Sequence, residues 1–213
     1  VLEVDENLLE HIKTEVKNGT LRIYTEKNIR KPKSLKAHLT FKELNRIKGS
    51  SGSDIYAEDG IKADEMEVDM SSGSDIKIKL TANKAEFDMS SGSDAIVKFE
   101  GKILDIDASS GSDLDIKAKD LDDIEIDLSS GSDVTIEGSA KKMNLSASSG
   151  SDLKAFEFVV VDAEIDVSSA ADVKVTVVGS LDVDASSASS VRYKGKVKNT
   201  DIKASSLATV KGE

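Results

Sequence analysis

The sequence predicts an all-β protein: a single-stranded, right-handed parallel β-helix of about nine coils with an N-terminal β cap. Two observations lead to this prediction. A serine-rich pentapeptide recurs along the chain at a nearly constant spacing, and apolar and polar residues alternate on both sides of it. Clean copies of Ser-Ser-Gly-Ser-Asp begin at Ser50, Ser71, Ser90, Ser109, Ser129 and Ser148, and altered copies begin at Ser168, Ser186 and Ser205.

The alternation is clearest from Leu104 to Lys117. Apolar or small residues occupy every even position there, and polar residues or glycine occupy the odd positions. A period of two predicts a strand with one buried face. The alternation continues through Ser109–Ser112 without losing phase, so this segment is predicted to be extended with a bend rather than to form a loop.

Each unit of roughly 20 residues holds two strands and a polar return, and it cannot bury its own apolar face. Stacking the units in parallel buries that face, because each strand then pairs with its equivalents in the neighbouring coils. The right-handed sense follows only from the general preference of parallel β connections.

Residues 1–44 lack the repeat and are predicted to form short strands that cap the first coil of the repeat body, 45–213. We expect the whole chain, 1–213, to be a single domain. The predicted elements are a strand at Leu8–Val16, a hairpin turn at Asn18-Gly19, a strand at Leu21–Tyr24, a loop at Asn28–Ser34 and a strand at Ala37–Phe41.

The copies can be compared with one another. The second position of the pentapeptide is always Ser, and the fourth is Ser or Ala. Both fall in the inward phase, so they predict two columns of small buried side chains whose hydroxyls bond within the stack or to backbone carbonyls. The second-position residues are Ser51, Ser72, Ser91, Ser110, Ser130, Ser149, Ser169, Ser187 and Ser206. The fourth-position residues are Ser53, Ser74, Ser93, Ser112, Ser132, Ser151, Ala171, Ser189 and Ala208.

The glycine of the pentapeptide is replaced by Ala170, Ala188 and Leu207 in the last three copies. This predicts that the position points outward and does not require a left-handed backbone. A serine nucleophile is the functional alternative for the conserved hydroxyls, but it needs a nearby base. The two histidines, His11 and His38, lie outside the repeat, and nine equivalent serines favour a structural role.

Acidic residues are predicted to form outward columns on one strand face. They are Glu67, Asp69, Glu86, Asp88, Asp105, Asp107, Glu125, Asp127, Glu164, Asp166, Asp182 and Asp184. A further column is formed by Asp54, Asp75, Asp94, Asp113, Asp133, Asp152 and Asp172, with Lys77, Lys98, Lys117 and Lys174 as partial balance. One interpretation is a solvated acidic face. The other is a stripe that binds Ca²⁺ between coils, although the paired glycines of the calcium nonapeptide repeat are missing.

The composition excludes several classes of function. The 213 residues carry a formal net charge of -11, which argues against a nucleic-acid partner. There is no Cys, and no apolar run reaches the roughly 20 residues of a membrane span. Paired carboxylates can cleave glycosides, but here they recur on every coil, and sugar-binding aromatics are scarce, with no Trp and three Tyr. No residue is therefore predicted to be catalytic, and none to bind a metal or another cofactor.

The sequence resembles the GIN domain, the head domain of a family of autotransporter adhesins from Bacteroidetes. The resemblance spans nearly the whole chain and is carried by Asn7-Leu8-Leu9, Asn18–Tyr24, Leu44–Ile47 and the Ser-Gly-Ser-Asp repeats. It implies a parallel β-helix exported to the cell envelope or surface, often as a lipoprotein, and it supplies no catalytic residues. The usual export signal and first strand are absent or incomplete here, so the predicted localisation rests on the resemblance.

These observations together predict a secreted or cell-surface binding or structural protein, an adhesin head without catalytic activity. Its ligand is expected to be a glycan or protein of a host or cell surface. Two alternatives stay open: a cell-envelope scaffold without a specific ligand, and a polysaccharide-active β-helix enzyme. The sequence does not predict the oligomeric state.

Overall fold

A computed structural model describes residues 1–27, 29 and 32–213. The chain forms two compact units, Val1–Lys42 and Glu43–Glu213, and their boundary lies close to the predicted one. The first unit carries none of the pentapeptides and the second carries all nine. The single domain and the capping role of the first block stay predictions.

In its described residues, the first unit holds two small antiparallel sheets and a short helix. The elements are β1 (Leu2–Val4), a 3₁₀ helix (Glu6–His11), β2 (Ile12–Lys17), β3 (Thr20–Thr25) and β4 (Leu35–Ala37). Strands β1 and β4 pair, as do β2 and β3, and the turn residues Asn18 (φ 50°) and Gly19 (φ 79°) confirm the predicted hairpin.

Two strand predictions in this unit are wrong in part. Leu8–His11 lies in the 3₁₀ helix. A strand is predicted there because a run this short does not distinguish a period of two from a helical turn. The predicted strand at Ala37–Phe41 is displaced to Leu35–Ala37, where it pairs with the unpredicted strand β1. The predicted loop at Asn28–Ser34 lies in part outside the described residues, at Asn28, Arg30 and Lys31.

The second unit is a parallel β-helix of about nine coils, as predicted. In each coil one strand precedes the serine turn, on what we call the first face, and one follows it, on the second face. Every strand pairs in parallel with its equivalents in the neighbouring coils; Ile106, for example, lies beside Phe87 and Ile126. The handedness of the coil stays a prediction.

The strands of the first face are β5 (Arg46–Gly49), β7 (Glu65–Met70), β9 (Lys84–Met89), β11 (Ile103–Ala108), β16 (Ser180–Ala185) and β18 (Asn199–Ala204). Those of the second face are β6 (Asp54–Lys62), β8 (Asp75–Thr81), β10 (Asp94–Glu100), β15 (Asp172–Val177), β17 (Ser190–Lys194) and β19 (Thr209–Gly212). Three long strands run from the second face of one coil to the first face of the next: β12 (Asp113–Leu128), β13 (Asp133–Ala147) and β14 (Asp152–Val167).

The core consists of apolar columns that run through the stack. One column on the first face contains Val68, Phe87, Ile106, Ile126, Leu145, Ile165 and Val183, all of them buried. Its members come from seven successive coils, so each residue covers the one before it. This stacking explains how a chain with 4% aromatic residues can still bury a continuous core.

The serine segment is a two-residue turn, not an extended bend. Ser110 and Gly111 both have positive φ (54° and 69°), and Ser112 N–H donates to the Ser109 carbonyl at 3.3 Å. These features fit a type I′ turn, which places the second serine at its tip. The predicted inward column of second serines is therefore wrong, since all nine are exposed. Because the turn contains an even number of residues, the alternation of inward and outward side chains continues in the same phase after it.

The prediction that the third position needs no left-handed backbone is also wrong. Ala170, Ala188 and Leu207 keep φ values of 63°, 61° and 69°. The backbone N–H of this position donates to the second-position carbonyl of the next coil, for example from Ala170 to Ser187 at 3.0 Å. These bonds hold the turn even where glycine is missing. The outward orientation is confirmed, since Leu207 is 91% exposed.

The inward column at the fourth position is confirmed. Ser74, Ser93, Ser112, Ser132 and Ser151 are fully buried, and Ser189 nearly so. Their hydroxyls donate to backbone carbonyls, often in the preceding coil: Ser132 Oγ donates to Ala108 O at 2.8 Å, and Ser189 Oγ to Val167 O at 3.1 Å. A buried hydroxyl bonded in this way stabilises the corner of the coil and is not placed to act as a nucleophile.

Candidate functional site

The first face of the second unit carries two outward columns of acidic residues, as predicted. Neighbouring rungs of a column lie about 4.8 Å apart, and the two columns about 7 Å apart. In register, the first column contains Glu67, Glu86, Asp105, Glu125, Asn144, Glu164, Asp182 and Asp201. The second contains Asp69, Asp88, Asp107, Asp127, Ser146, Asp166 and Asp184. We call this surface the acidic face.

The carboxylates of the acidic face repel one another. Burial raises the pKa of Asp107, and the neighbouring carboxylates of Asp88 and Asp127 raise it further. The repulsion is interrupted in one coil, where Asn144 and Ser146 replace the two acids and form a neutral rung.

Basic residues partly balance the columns at particular rungs. Lys84 lies 2.6 Å from Asp105, and this hydrogen bond raises the pKa of the lysine. At the first rung, Arg46 Nη2 contacts Glu67 at 3.0 Å and Asp69 at 2.5 Å. Burial alone would raise the pKa of Asp69, but the hydrogen bond from Arg46 and the charge of Lys48 outweigh it and lower that pKa.

The oxygens of Glu67, Asp69 and Asp88 lie within 4.8 Å of one another, a spacing that a cation could bridge. Arg46 already supplies positive charge to two of these three carboxylates. The geometry is therefore explained by an ion-pair cluster inside the chain. Binding of Ca²⁺ between coils stays the alternative interpretation of the acidic columns, and the sequence predicts no metal site.

Neutralising one central carboxylate should stabilise the protein. Since the pKa of Asp107 is raised on folding, the protonated form favours the folded state. That contribution is fully present below the ordinary Asp pKa of about 3.9 and is lost as pH rises through the raised value. We expect Asp107→Asn to raise the free energy of unfolding at pH 7 by up to about 1 kcal/mol. The gain should shrink as the pH falls toward 4, as measured by urea denaturation across that range.

The neutral rung provides the matched control for this prediction. Ser146 lies between Asp127 and Asp166, so Ser146→Asp adds a carboxylate to the same column. It should destabilise the protein at pH 7, and the loss should also shrink at low pH. An Asp107→Asn variant no more stable than the parent at pH 7 would show that screening by water removes the repulsion.

Two open grooves border the acidic face. One, of about 510 Å³, follows the second acidic column and the first serines of the turns; it is lined by Asp107, Asp127, Asp166 and Asp184 with Ser129, Ser148, Ser168 and Ser186. The other, of about 570 Å³, lies on the opposite side and includes Asp123, Lys142, Asn144, Asp162, Asp182 and Asp201. Most of the lining residues are polar, although apolar atoms contribute about as much of the exposed lining as polar atoms do. Both grooves therefore differ from the mostly apolar clefts that usually hold small molecules.

The second face carries charges of both signs. The predicted lysines Lys77, Lys98, Lys117 and Lys174 all lie here, on the same face as the pentapeptide aspartates and not on the acidic face. Lys117, for example, contacts Glu137 in the next coil at 2.6 Å. Burial raises the pKa of Asp94 in the aspartate column, and the charges of Asp75 and Asp113 raise it further.

Sequence reasoning missed a run of cations on this face. Lys154, Lys174, Arg192 and Lys211 occupy the same position in four successive coils, and we call them the basic column. Each stands two residues after the last position of its pentapeptide, so alignment of the copies could have found the run. The signal was obscured because the last three copies are altered in their turn residues.

A family model described as "Putative auto-transporter adhesin, head GIN domain" matches residues 1–117 and, a second time, residues 96–197. The chain belongs to this family. The resemblance to the GIN domain seen in the sequence is thereby confirmed. The overlap of the two matches is expected for GIN domains built from similar stacked coils.

Solved structures share the fold. A putative adhesin from Parabacteroides merdae has a TM-score of 0.73 and 17% identity, with 100% of this chain and 82% of that chain covered. A putative lipid binding protein from Parabacteroides distasonis has a TM-score of 0.68 and 20% identity, with the same coverage. A putative adhesin from Bacteroides fragilis has a TM-score of 0.56 and 17% identity, with 98% and 79% covered.

A search of proteins of curated function gives no match. Within the residues that the structure describes, no helix has the length and apolar character needed to cross a bilayer.

Proposed function

We propose that this chain is the ligand-binding head of an exported, cell-surface adhesin and that it has no catalytic activity. One observation carries the proposal: charged side chains recur in register on both faces of the second unit, coil after coil. A surface that offers the same group every ~4.8 Å can hold an extended ligand at many points. Many weak contacts of this kind give avidity without an enclosed pocket. Membership of the GIN domain family supports the same role.

The geometry favours binding over catalysis. A glycosidase needs one carboxylate pair with distinct roles, whereas the carboxylates of the acidic face are repeated and nearly equivalent. Asp94 and Asp107, whose pKa values are raised, both lie on exposed strand faces. Mutual repulsion within their columns accounts for part of both shifts without a catalytic role.

The geometry also favours a polar ligand over a lipid. One structural relative is named a lipid binding protein, and an acyl chain needs a deep apolar cleft. The two grooves beside the acidic face are open and lined mainly by Asp, Ser, Asn and Lys. Groups of this kind suit hydroxylated or charged ligands.

The proposal is tested by presenting the purified chain to arrays of glycans and matrix proteins. We expect binding to a charged ligand that weakens as salt rises from roughly 50 mM to roughly 500 mM. The triple variant Asp88→Asn, Asp107→Asn, Asp127→Asn and a variant of the basic column then show which face is used. Silence on every array would favour a scaffold without a ligand. Turnover of a polysaccharide, abolished by one Asp substitution, would favour an enzyme.

A further inference from the structure

The basic column is a run of four cations in register; a shorter run on the same face, Lys79, Lys98 and Lys117, is followed in register by Glu137. Lys154, Lys174, Arg192 and Lys211 stand in register on consecutive coils, about 4.8 Å apart, in a chain whose formal net charge is -11. Like charges directly opposite each other on neighbouring strands destabilise a sheet. The shorter run ends where Lys117 meets Glu137 in the next coil, whereas the basic column continues through Lys211 with no acid in register among the residues described in its coils. The mutual repulsion of its four cations costs stability, so the fold by itself does not explain the run.

The countercharge beside this column ends before the column does. Asp133, Asp152 and Asp172 flank its first rungs, and Ser190 and Thr209 take the aspartate position in the last two coils. Lys154 pairs with Asp133 at 3.6 Å, and Asp172 is shared by Lys174 at 3.7 Å and Arg192 at 3.1 Å. Lys174 and Arg192 thus have one carboxylate between them, and the positive charge is least compensated at Lys211.

In the described structure, two cations at the last rungs lack part of their expected ion-pair or hydrogen-bond partners. Lys211 has no ion-pair partner among the residues that the structure describes. The Nε atom of Arg192 is buried without a hydrogen-bond partner in the same described part of the chain. Lys194, two residues from Arg192, adds a further cation, which lies 4.0 Å from Glu213 and 4.0 Å above the ring of Phe156.

We propose that the basic column binds an acidic polysaccharide, an extended chain of uronic acid or sulfated sugars that lies along the stack. The proposal rests on the proposed function, since it names the ligand class of that binding head. Lys174, Arg192 and Lys211 would each meet one anionic group. In an extended 1,4-linked polymer, one sugar advances by a distance close to the ~4.8 Å between coils. The hydroxyls of Ser190 and Thr209 lie on the same face beside the column and can bond to the sugar hydroxyls.

A polysaccharide fits this surface better than a single-stranded nucleic acid. Proteins that bind single strands combine basic grooves with aromatic platforms for the bases. At its end the column lies beside Ser190, Thr209 and Thr176, which offer hydroxyls, and the ring of Phe156 is already covered by the Lys194 ammonium group at 4.0 Å. Arginine and lysine are suited to carboxylate and sulfate groups through charge-assisted hydrogen bonds.

The test measures binding of polygalacturonate, with dextran as the neutral control, by biolayer interferometry. The parent chain should bind polygalacturonate in a salt-dependent way and should not bind dextran. The double variant Arg192→Glu, Lys211→Glu should bind at least about tenfold more weakly, since it reverses two of the four charges. The matched control, Lys79→Glu with Lys98→Glu, makes the same change on adjacent rungs elsewhere on this face and should stay within about twofold of the parent.

Several outcomes would overturn the proposal. Equal losses in both double variants would show general attraction to polyanions, and equally tight binding of oligothymidylate would point to a nucleic acid. Dextran sulfate serves as the sulfated probe in the same assay. If the chain binds neither polygalacturonate nor dextran sulfate but does bind another array ligand, this inference is overturned and the proposed function stands. Silence toward every ligand would remove both. Thermal melts check that each variant folds; if the double variant does not, Arg192→Gln and Lys211→Gln are measured singly, and loss of binding in neither would also overturn it.

Discussion

Replacing Gly138 with alanine is expected to destabilise the protein by roughly 3 kcal/mol. Gly138 pairs in register with Ala118 of the preceding coil, and its φ is +132°, a region that residues with a side chain rarely adopt. An added Cβ would lie only 1.6 Å from the Ala118 carbonyl oxygen. Because that atom belongs to the backbone of a paired strand, relief requires the two coils to separate locally.

The effect is large because a shift of the backbone at Gly138 also disturbs the packing of the next coil. Strand β13, which contains Gly138, pairs with β12 on one side and β14 on the other. Moving its backbone away from Ala118 also disturbs its contact with Phe158, a fully buried side chain at the paired position of the next coil. Overpacking in a close-packed interior is costly for this reason.

Urea denaturation of Gly138→Ala beside Gly111→Ala separates the contact from the backbone effect. Gly111 also has positive φ (69°), but an added Cβ would meet no heavy atom within 4 Å. Its replacement should cost only about 1 kcal/mol, the strain of a left-handed alanine, and Ala170 already occupies the equivalent position in another coil. If both variants lost the same free energy of unfolding, the two coils would be able to separate at Gly138 at no further cost.

The architecture could be predicted because a unit of about 20 residues, with the same pattern of apolar and polar positions, occurs nine times in the sequence. Alternation between Leu104 and Ile116 predicts one buried face, and its repetition at a step near 20 residues requires stacking. The inward residues Ile106 and Ile116 are buried and the outward Asp107 is exposed, as the pattern indicates. Periodicity fixes these orientations because neighbouring side chains of a strand point to opposite faces.

The turn could not be predicted from the same pattern. A two-residue turn removes an even number of residues from the alternation, so the phase of Ala108 and Ser112 is the same whether Ser110 points inward or outward. Substitution of the turn glycine by Ala170 was also misleading. Stacked turns share backbone hydrogen bonds between coils, and these contacts hold a left-handed residue in place against its intrinsic preference.

The candidate sites were predicted unevenly for a related reason. The acidic columns depend on positions that alternate within single strands, so the sequence places them correctly. The contact of Lys117 with Glu137 and the contact of Arg46 with Asp69 depend on register between residues far apart in the chain. The basic column requires the alignment of four coils, three of which have lost the clean turn sequence.

Leucine at Ser112 is expected to destabilise the protein by about 2–3 kcal/mol, whereas leucine at Ser110 should cost less than about 1 kcal/mol. Ser112 is fully buried, and its hydroxyl donates to the Met89 carbonyl at 3.3 Å. Its equivalents Ser93 and Ser132 lie in the coils on either side, so the column has room for a hydroxymethyl group and not for a branched chain. Ser110, two residues away, points into solvent at the tip of the turn.

The comparison is made by urea denaturation of the two variants, with Ser112→Ala as a third measurement. Alanine already occupies the equivalent position at Ala171, so Ser112→Ala should lose only about 1 kcal/mol, the value of one hydroxyl hydrogen bond. The difference between Ser112→Ala and Ser112→Leu then isolates the cost of overfilling the corner. If Ser110→Leu proved the more damaging leucine variant, the second serine and not the fourth would face the interior, and the turn described above would be wrong.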